Sequence, residues 1–372
     1  MFTTKSGLAL AIVSALMLTA CEQTADSPPA STAASESTAP STMPAPAAAT
    51  ACDRQCLIDA TDTYVAALVA HDPSAAPLAY NIVFVENVTR KRPGEGLWQS
   101  AVSAPTTFAI HVPDEINQAA GYLAMMTWMA APPAPQGSSP EERAQWEATA
   151  EKTELPVMVA FRLKFDGNGK ITEAEHLLTP VREQQMVNLQ SPRPEIFTEI
   201  DEDKRLSHDR LITLGLTYYD ALDENDSDLT AFADDCERHE NGMITASYKP
   251  REGAPGIPGT ASTPAVARDC YGQIESGTFQ YIDRIENRRV FAADPQTGLV
   301  MGLSHFRHPM DNLPYTVTNT DGTQGERNST NMPFAPFDLP AAHIFKIGAD
   351  GKMHEIEAMG FTTVLNAPTG WE

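Results

Sequence analysis

Hydrophobic positions follow a helical spacing first and a strand spacing further along the chain. Apolar residues at three- and four-residue intervals predict an amphipathic helix over Cys52 to Leu68. Its apolar face consists of Leu57, Ala60, Tyr64, Ala67 and Leu68. Short apolar runs between turn residues then predict strands. These strands are Ile82 to Val85, Thr107 to Val112, Gly121 to Met129, Val157 to Phe165 and Ile171 to Leu178.

The second part of the chain repeats this order of elements. The same apolar spacing predicts a helix over Asp209 to Leu222. The predicted strands are Asp235 to Asn241, Thr278 to Asn287 with Val290 and Phe291, Gly298 to Phe306, Ala341 to Ile347 and Met353 to Gly360. In both parts a polar insertion separates the same two strands. We interpret Ala130 to Lys152 as a surface excursion and Pro309 to Pro340 as a long irregular insertion.

Individual residues repeat as well as elements. The stretch Thr63 to Asn87 aligns without a gap on Thr217 to Asn241 and retains a tyrosine on the helix and a Glu-Asn pair at the strand end. These repeats indicate a tandem duplication. The predicted fold class is α+β, with two tandem cone-shaped domains in which helices pack in a curved antiparallel sheet. The predicted boundaries are residues 52–185 for the first domain, 186–205 for a linker and 206–372 for the second domain.

The chain begins with a segment typical of export signals. Lys5 precedes the apolar stretch Leu8 to Leu18, and the closing Leu-Thr-Ala-Cys at Cys21 resembles a bacterial lipoprotein box. This resemblance implies a signal peptide over residues 1–20 and lipidation of Cys21. The protein would then be anchored in the cell envelope, at the outer membrane or on the periplasmic face. The alternative is an ordinary cleavage site with an incidental cysteine. Residues 21–51, rich in Ala, Ser, Thr and Pro, are predicted to form a disordered tether.

Charge and cysteine content narrow the partners and the compartment. The 372-residue chain has 26 Lys plus Arg against 49 Asp plus Glu, a formal charge of −23. This charge excludes nucleic acid as a partner and opposes binding to an anionic membrane surface. In an oxidising compartment the cysteines after Cys21 favour disulfides. Cys52 and Cys56 can pair where the first helix begins, which leaves Cys236 for Cys270. A Cys/His metal site in the second part is the alternative.

The repeated motifs resemble the nuclear-transport-factor-2-like superfamily, and within it the ketosteroid isomerases. They are Tyr-Val-Ala-Ala-Leu followed by Asp72, a strand that ends in Val-Glu-Asn at Asn87, and a glycine-containing final hairpin at Gly169. The resemblance implies a cone that encloses an apolar pocket between helices and sheet. The doubling and the lipoprotein start also resemble uncharacterised secreted bacterial and fungal proteins built from two such units.

The resemblance assigns polar roles inside each pocket. The oxyanion-hole tyrosine of ketosteroid isomerases corresponds to Tyr64 and Tyr218, and their proton-abstracting aspartate corresponds to Asn87 and Asn241. Their second oxyanion donor corresponds to His343 in the second copy and to a phenylalanine in the first. Because an amide accepts no proton at accessible pH, the two asparagines argue against the ketosteroid route in both copies.

The predicted catalytic site therefore lies in the second copy. If the strand faces that carry His305 and His343 line one cone, both histidines meet Tyr218 and Asn241, and a histidine serves as the general acid or base. The alternatives are core tyrosines, asparagines that cap strand ends, a hydrogen-bonded core histidine and a polar strand end at His305. Trp128 is aligned with His305. Predicted binding residues are Tyr64, Asn87, Trp128, Glu240 and Tyr219.

We expect a cofactor-free lyase, dehydratase or isomerase that acts on a small, partly apolar, carbonyl-bearing or phenolic molecule in the second pocket. The alternative is a non-catalytic envelope lipoprotein that binds a small molecule or a partner, and a purely structural envelope protein is a third hypothesis. No metal ion is expected. Sequence motifs for serine hydrolases, nucleotides and dinucleotides are missing. A dimer or an internal pseudo-dimer is expected, because cone-shaped domains commonly pair through their sheets.

Overall fold

A computed structural model of the chain describes residues 51–135, 140–249 and 268–372, which belong to one compact unit. Within it we distinguish a first half, residues 52–185, and a second half, residues 206–372. The predicted signal peptide, Cys21 and the tether up to residue 50 lie outside the described residues. In the described ranges no helix is long and apolar enough to cross a membrane.

The first half begins with helix α1 (Arg54–Val69), whose N-cap Asp53 accepts a hydrogen bond from the backbone N of Cys56 at 2.9 Å. Two shorter helices, α2 (Leu97–Ser100) and α3 (Pro140–Thr149), follow. The strands are β1 (Leu78–Glu86), β2 (Thr89–Lys91), β3 (Ala101–Ser103), β4 (Ala109–Asp114), β5 (Ala119–Ala130), β6 (Thr153–Phe165) and β7 (Ile171–Pro180). The helix and strands predicted in this half are all present.

The second half begins with helix α4 (His208–Asp223), and a short helix α5 (Cys270–Glu275) follows. The strands are β8 (Phe232–Glu240), β9 (Met243–Ala246), β10 (Arg284–Asp294), β11 (Leu299–His308), β12 (Tyr315–Thr318), β13 (Gln324–Arg327), β14 (Phe337–Ile347), β15 (Met353–Gly360) and β16 (Thr363–Val364). The prediction that a strand starts at Thr278 was wrong, because turns precede β10. The insertion expected to be irregular contains the hairpin β12–β13.

Short 3₁₀ helices of three to six residues connect several of these elements. Within the halves they are Pro73–Ala75 and Ser227–Leu229. Between the halves they are Glu183–Asn188, Pro194–Phe197 and Glu202–Lys204. The connection between β7 and α4 is therefore a sequence of tight turns.

Each half contains one main sheet, and the two sheets share one strand order. The order is β2-β1-β7-β6-β5-β3 in the first half and β9-β8-β15-β14-β11-β10 in the second, with β4 on β5 and β16 on β14. The strand after the first helix runs parallel to the last strand of its half, β1 with β7 and β8 with β15. The α+β class is confirmed, but the expectation of purely antiparallel sheets was wrong. Sequence periodicity gives no signal for this non-local parallel pairing.

One face of each sheet, here called the inner face, packs against the helices of its own half. In the first half, Tyr64 and Leu68 of α1 lie in one buried cluster with Phe161 of β6. In the second half, Tyr218 of α4 lies in a corresponding cluster with Phe345 of β14. Burial of each such large side chain stabilises the fold by about 2 kcal/mol.

The opposite faces of the two sheets, here called the outer faces, pack against each other. Leu123 of the first sheet and Ile344 of the second belong to one buried cluster. Where the sheets approach closely, a Cβ on Gly121 would lie 2.5 Å from Sδ of Met301, so a larger residue does not fit without displacement. The outer faces therefore form a core between the halves.

Two ion pairs join the halves reciprocally. Arg54 at the start of α1 pairs with Asp294 at the end of β10 at 3.0 Å. His208 at the start of α4 pairs with Asp114 at the end of β4 at 2.8 Å. Corresponding positions thus contact each other in both directions, as they do across a two-fold axis.

Both predicted disulfides are present, Cys52–Cys56 with an S–S distance of 1.96 Å and Cys236–Cys270 with 1.97 Å. The first closes the start of α1, and the second joins α5 to β8. Because disulfides persist in oxidising compartments, the two bonds indicate a protein that resides outside the cytoplasm.

Candidate functional site

A cavity opens on the inner face of the second sheet. Its open space is about 370 Å³ when the solvent at its mouth is counted. Polar side chains reach it from Arg238, Glu240, Tyr281, His308 and His343. The rest of the lining is Leu222, Phe279, Ile282, Phe306, Leu339, Ala341, Ala358, Met359 and Gly360. The cavity therefore combines an apolar wall with a small polar group of residues.

The cationic group of the cavity is a buried arginine on β8. Nε of Arg238 donates to Oη of Tyr218 at 2.8 Å, and its Nη1 donates to Oγ1 of Thr245 at 2.7 Å. Its Nη2 pairs with Oε2 of Glu240 at 2.7 Å. Burial acts to lower the pKa of the guanidinium, but Tyr218 and Glu240 outweigh burial and hold the pKa of Arg238 above its usual value. Arg238 is a permanent cation held by fixed partners.

His343 faces the cavity from β14, a central strand of the sheet. Its Nδ1 lies 3.3 Å from Oη of Tyr219, and the ring centroids of Tyr218 and Tyr219 lie 5.3 and 5.4 Å from its own. Only 1% of the residue is exposed. Burial, with a smaller contribution from the charge of Arg238, lowers the pKa of His343 well below its usual value. The imidazole is therefore neutral at neutral pH.

His308 is the second histidine at the cavity and lies at the end of β11. Its ring stacks between Phe337, with centroids 4.3 Å apart, and Tyr281, with centroids 5.0 Å apart. Burial lowers the pKa of His308 to about 4. This imidazole is also neutral at neutral pH, and its aromatic neighbours hold its plane.

One cavity wall comes from the segment between α5 and β10. The segment contributes Phe279, Tyr281 and Ile282. Hairpin β12–β13 supports it, since Oη of Tyr315 donates to the backbone carbonyl of Thr278 at 3.3 Å. The Cys236–Cys270 disulfide attaches α5, which precedes the segment, to β8. The long insertion and the disulfide thus help to form the cavity.

His305 lies on the other side of the sheet, so the predicted convergence of His305 with His343 was wrong. Alternate residues of β11 face opposite sides. His305 shares its face with Met301 and Leu303, which belong to the core between the halves. Burial, followed by the charges of Arg307 and Arg289, lowers its pKa to about 4.

The two asparagines hold strand ends together. Oδ1 of Asn87 accepts from the backbone N of Leu178 at 2.8 Å, and its Nδ2 donates to the carbonyl of Leu178 at 3.1 Å. Asn241 makes the same pair of bonds to Gly360, at 3.0 and 3.1 Å. Both residues have positive φ, 43° and 48°, a conformation that asparagine tolerates better than most residues. Both amides are thus bonded to backbone groups, the strand-end function that was the alternative to the catalytic role predicted for Asn241 and the binding role predicted for Asn87.

The two tyrosines of α4 lie behind the cavity lining. Tyr218 accepts a hydrogen bond from Arg238, and Tyr219 contacts His343. Burial raises the pKa of both phenols, against the opposing charge of Arg238 at Tyr218. They therefore position polar groups rather than line the cavity themselves. Among the predicted site residues, His343 and Glu240 line the cavity.

The first half contains a related polar group that is closed by aromatic rings. Oη of Tyr64 lies 2.9 Å from Nε2 of His176, whose Nδ1 lies 3.5 Å from Oε2 of Glu86. All three residues are buried. Phe161, at the position of His343, lies against the His176 ring with centroids 4.1 Å apart, and Tyr122 stacks on Phe161.

Strand register corrects the alignment of Trp128 with His305. Tyr122 pairs with Phe161 in the first sheet, and Gly302 pairs with His343 in the second. Along the same strands, Trp128 pairs with Leu155 and His308 pairs with Phe337. His308 is therefore the structural counterpart of Trp128. Trp128 packs against the core of the first half.

Arg238, His308 and His176 were not predicted as site residues. For His308 a signal existed, because it follows Phe306 by two residues and so shares its strand face. For Arg238 the local pattern gives little signal, since a charged residue on a strand is usually exposed. Among the described residues, no group of His, Cys, Asp and Glu is arranged to hold a metal ion.

Comparison with known proteins shows a similarity over the second half of the chain to a domain of unknown function. A protein-family profile described as a domain of unknown function (DUF8021) matches residues 204–360. The matched range runs from just before α4 to the end of β15 and so includes the cavity. No curated protein matches the chain.

Proposed function

We propose that the second half binds a small, partly apolar molecule with a carbonyl or phenolic oxygen in this cavity. The observation that carries the proposal is the convergence of the Arg238–Glu240 pair with two neutral imidazoles, His308 and His343, in one apolar-walled space. Fixed hydrogen-bonding groups among apolar and aromatic side chains are typical of small-molecule pockets. Such groups orient a ligand oxygen, while the apolar wall holds its carbon frame.

Binding is favoured over proton transfer by the histidines. Burial lowers the pKa of His308 to about 4 and that of His343 well below its usual value, so both are weak bases at neutral pH. Asn241, which stands where ketosteroid isomerases have their base, uses its amide in the turn. The polar groups therefore serve recognition first.

A second candidate is the lyase, dehydratase or isomerase chemistry expected from the resemblance. The observation in its favour is that Glu240 places a carboxylate at the cavity while its neighbour Arg238 can stabilise a developing oxyanion. In this candidate Glu240 accepts the proton, in place of Asn241 or a histidine, and returns it to another atom of the substrate. No electrons leave the substrate, so an isomerisation of this kind needs no redox cofactor.

The proposal also covers the fold of the two halves and the location of the protein. We propose that both halves are cone-shaped domains of the nuclear-transport-factor-2-like superfamily and that they form an internal pseudo-dimer. The shared strand order, the corresponding tyrosines on α1 and α4, and the reciprocal ion pairs support this. The two disulfides support a place in the cell envelope, where Cys21 would carry the lipid anchor.

The test is a thermal-shift screen of small carbonyl and phenolic compounds on the wild type, His308→Phe and Trp128→Phe. His308→Phe retains the aromatic stack but removes the ring nitrogens, and Trp128→Phe is the matched change in the first half. A compound at 100 times its Kd stabilises the wild type by about 2.7 kcal/mol. We expect this stabilisation to persist in Trp128→Phe and to fall in His308→Phe.

Two results would contradict the binding proposal. One is that no compound stabilises the wild type, and the other is that stabilisation is the same in all three proteins. For the catalytic candidate, turnover of any bound compound is compared in the wild type and Glu240→Gln. Equal turnover in both proteins excludes Glu240 as the proton acceptor.

A further inference from the structure

We infer that the cavity selects the uncharged form of its ligand and discriminates against the ionised form of the same molecule. This inference rests on the proposed binding function. It names the ligand class more narrowly: a neutral molecule with a hydroxyl, carbonyl or amide group on a small apolar frame. The argument starts from the charges that line the cavity.

The lining residues contain one cation and one anion, and these neutralise each other. Arg238 and Glu240 are joined at 2.7 Å. The other ionisable groups of the lining are Tyr281, His308 and His343. Burial raises the pKa of Tyr281 and lowers the pKa of both histidines, so these groups carry no charge at neutral pH. The net charge of the lining is therefore zero.

Three of the five N–H donors of the guanidinium already bond to neighbouring residues. Its Nε, Nη1 and Nη2 bond to Tyr218, Thr245 and Glu240. A ligand carboxylate or phenolate would have to compete with Glu240, which lies at the same cavity and repels it. A ligand anion that leaves the pair intact would add an uncompensated negative charge to a partly desolvated space, where such a charge is costly.

A neutral ligand meets no such penalty. Each neutral imidazole offers one donor and one acceptor nitrogen, so His308 and His343 suit hydroxyl, carbonyl and amide groups alike. Glu240 is also the more accessible member of the ion pair, with its side chain 32% exposed against 6% for Arg238. Removal of the Glu240 charge therefore leaves a buried cation that an anionic ligand is able to neutralise.

The experiment uses probes that differ in charge but little in shape. Benzamide and benzoate are compared by calorimetry on the wild type, Glu240→Gln and Glu224→Gln. Glu224 is exposed at the end of α4, so its variant is the matched control. We expect the wild type and Glu224→Gln to prefer benzamide at least about tenfold, the effect of about 1.4 kcal/mol. In Glu240→Gln we expect the preference to shift at least about tenfold toward benzoate.

A second measurement needs no variant and covers the case in which Glu240→Gln fails to fold. 4-Nitrophenol ionises near neutral pH, whereas its methyl ether, 4-nitroanisole, does not. We expect the affinity of wild-type protein for nitrophenol to fall as its hydroxyl ionises, while the affinity for nitroanisole stays constant over the same range. A parallel fall for both probes would point to a change in the protein and would overturn the inference.

The outcomes separate this inference from the binding proposal. If the wild type binds benzoate as tightly as benzamide, and His308→Phe weakens both, the cavity is a binding site but charge selection is wrong. An unchanged preference in folded Glu240→Gln also overturns charge selection. If none of the four probes binds, the binding proposal and this inference fail together.

Discussion

The two halves of the molecule keep the same tyrosine and the same glutamate but connect them through different residues. In the first half, His176 of β7 lies between Tyr64 and Glu86. In the second half, Arg238 of β8 lies between Tyr218 and Glu240. The residue that links the tyrosine to the glutamate has thus moved from the last strand of its half to the parallel neighbouring strand, and a histidine whose pKa is lowered by burial has become an arginine. A duplicated framework can keep the ends of a polar group while its middle member changes position and chemistry.

The two halves also differ in what surrounds each polar group. The first half places the buried rings of Tyr122 and Phe161 where the second has Gly302 and His343. These aromatic rings close over His176, whereas a cavity opens beside Arg238. The interior of the first half is therefore filled by side chains at this position, whereas the second half has a cavity there. Four changes test this division.

The largest expected difference concerns the disulfides. Cys236–Cys270 closes a separation of 34 residues, and Cys52–Cys56 closes a separation of 4 residues. Chain entropy predicts losses of about 4 and about 2 kcal/mol when each pair is replaced by serines. Only the first replacement should also weaken ligand binding, because that bond anchors a cavity wall. Chemical unfolding and calorimetry measure both effects, and equal losses for the two variants would contradict this division.

The next effect is a loss of stability at acidic pH that depends on His308. Burial lowers the pKa of His308 from 6.5 to about 4. Below pH 6.5 His308 is protonated in the unfolded chain but stays neutral in the folded protein. The free energy of unfolding therefore decreases as pH falls toward 4. The full contribution is about 3 kcal/mol. His308→Phe should flatten the pH dependence of unfolding, and Trp128→Phe should leave it as steep as in the wild type.

A smaller difference in stability is expected between Tyr64→Phe and Tyr218→Phe. Tyr64→Phe leaves Nε2 of His176 without its partner in a closed interior, which costs about 2 kcal/mol. Tyr218→Phe leaves Nε of Arg238 beside a cavity, where a water molecule is able to replace the hydroxyl, and should cost about 1 kcal/mol. Denaturant unfolding of the two variants gives the comparison. The reverse order would show that the second cavity is closed to water.

The smallest effect concerns the glycine that accommodates Tyr219. A Cβ on Gly302 would lie 2.7 Å from Oη of Tyr219, so Gly302→Ala should cost about 1.5 kcal/mol through overpacking. Addition of Tyr219→Phe removes that oxygen and should restore part of the loss, which a double-mutant cycle detects. Gly167→Ala is the control, because no atom lies within 4 Å of its Cβ position. Additive losses would mean that the two residues do not interact.

The sequence predicted the elements well because their signals are local. Helical spacing gave α1 and α4, and apolar runs gave most strands of both sheets. The two disulfides were predicted from the oxidising compartment and from the short spacing between Cys52 and Cys56. The parallel pairing of β1 with β7 was missed, because contacts between distant segments leave no periodic trace in the chain. The short strands β2 and β9 after the asparagines were missed too, since few residues form them.

The candidate site was predicted in part. His343 and Glu240 were placed in the correct half, and both line the cavity. His305 was preferred to His308 because the strand face that carries His305 was expected to line the cone, and a shift of three residues reverses the strand face. The roles of the asparagines could not be decided from sequence, because a side chain that binds a backbone and one that binds a substrate look the same.

The reciprocal ion pairs Arg54–Asp294 and His208–Asp114 join two halves of one chain, so these contacts persist when the protein is diluted. Two separate subunits would lose such contacts at low concentration, but within one chain the partner is present at an effective concentration in the millimolar range. The interface therefore does not depend on how much protein the cell makes. Because both halves belong to one chain, a half with a filled interior is always paired with a half that contains the cavity.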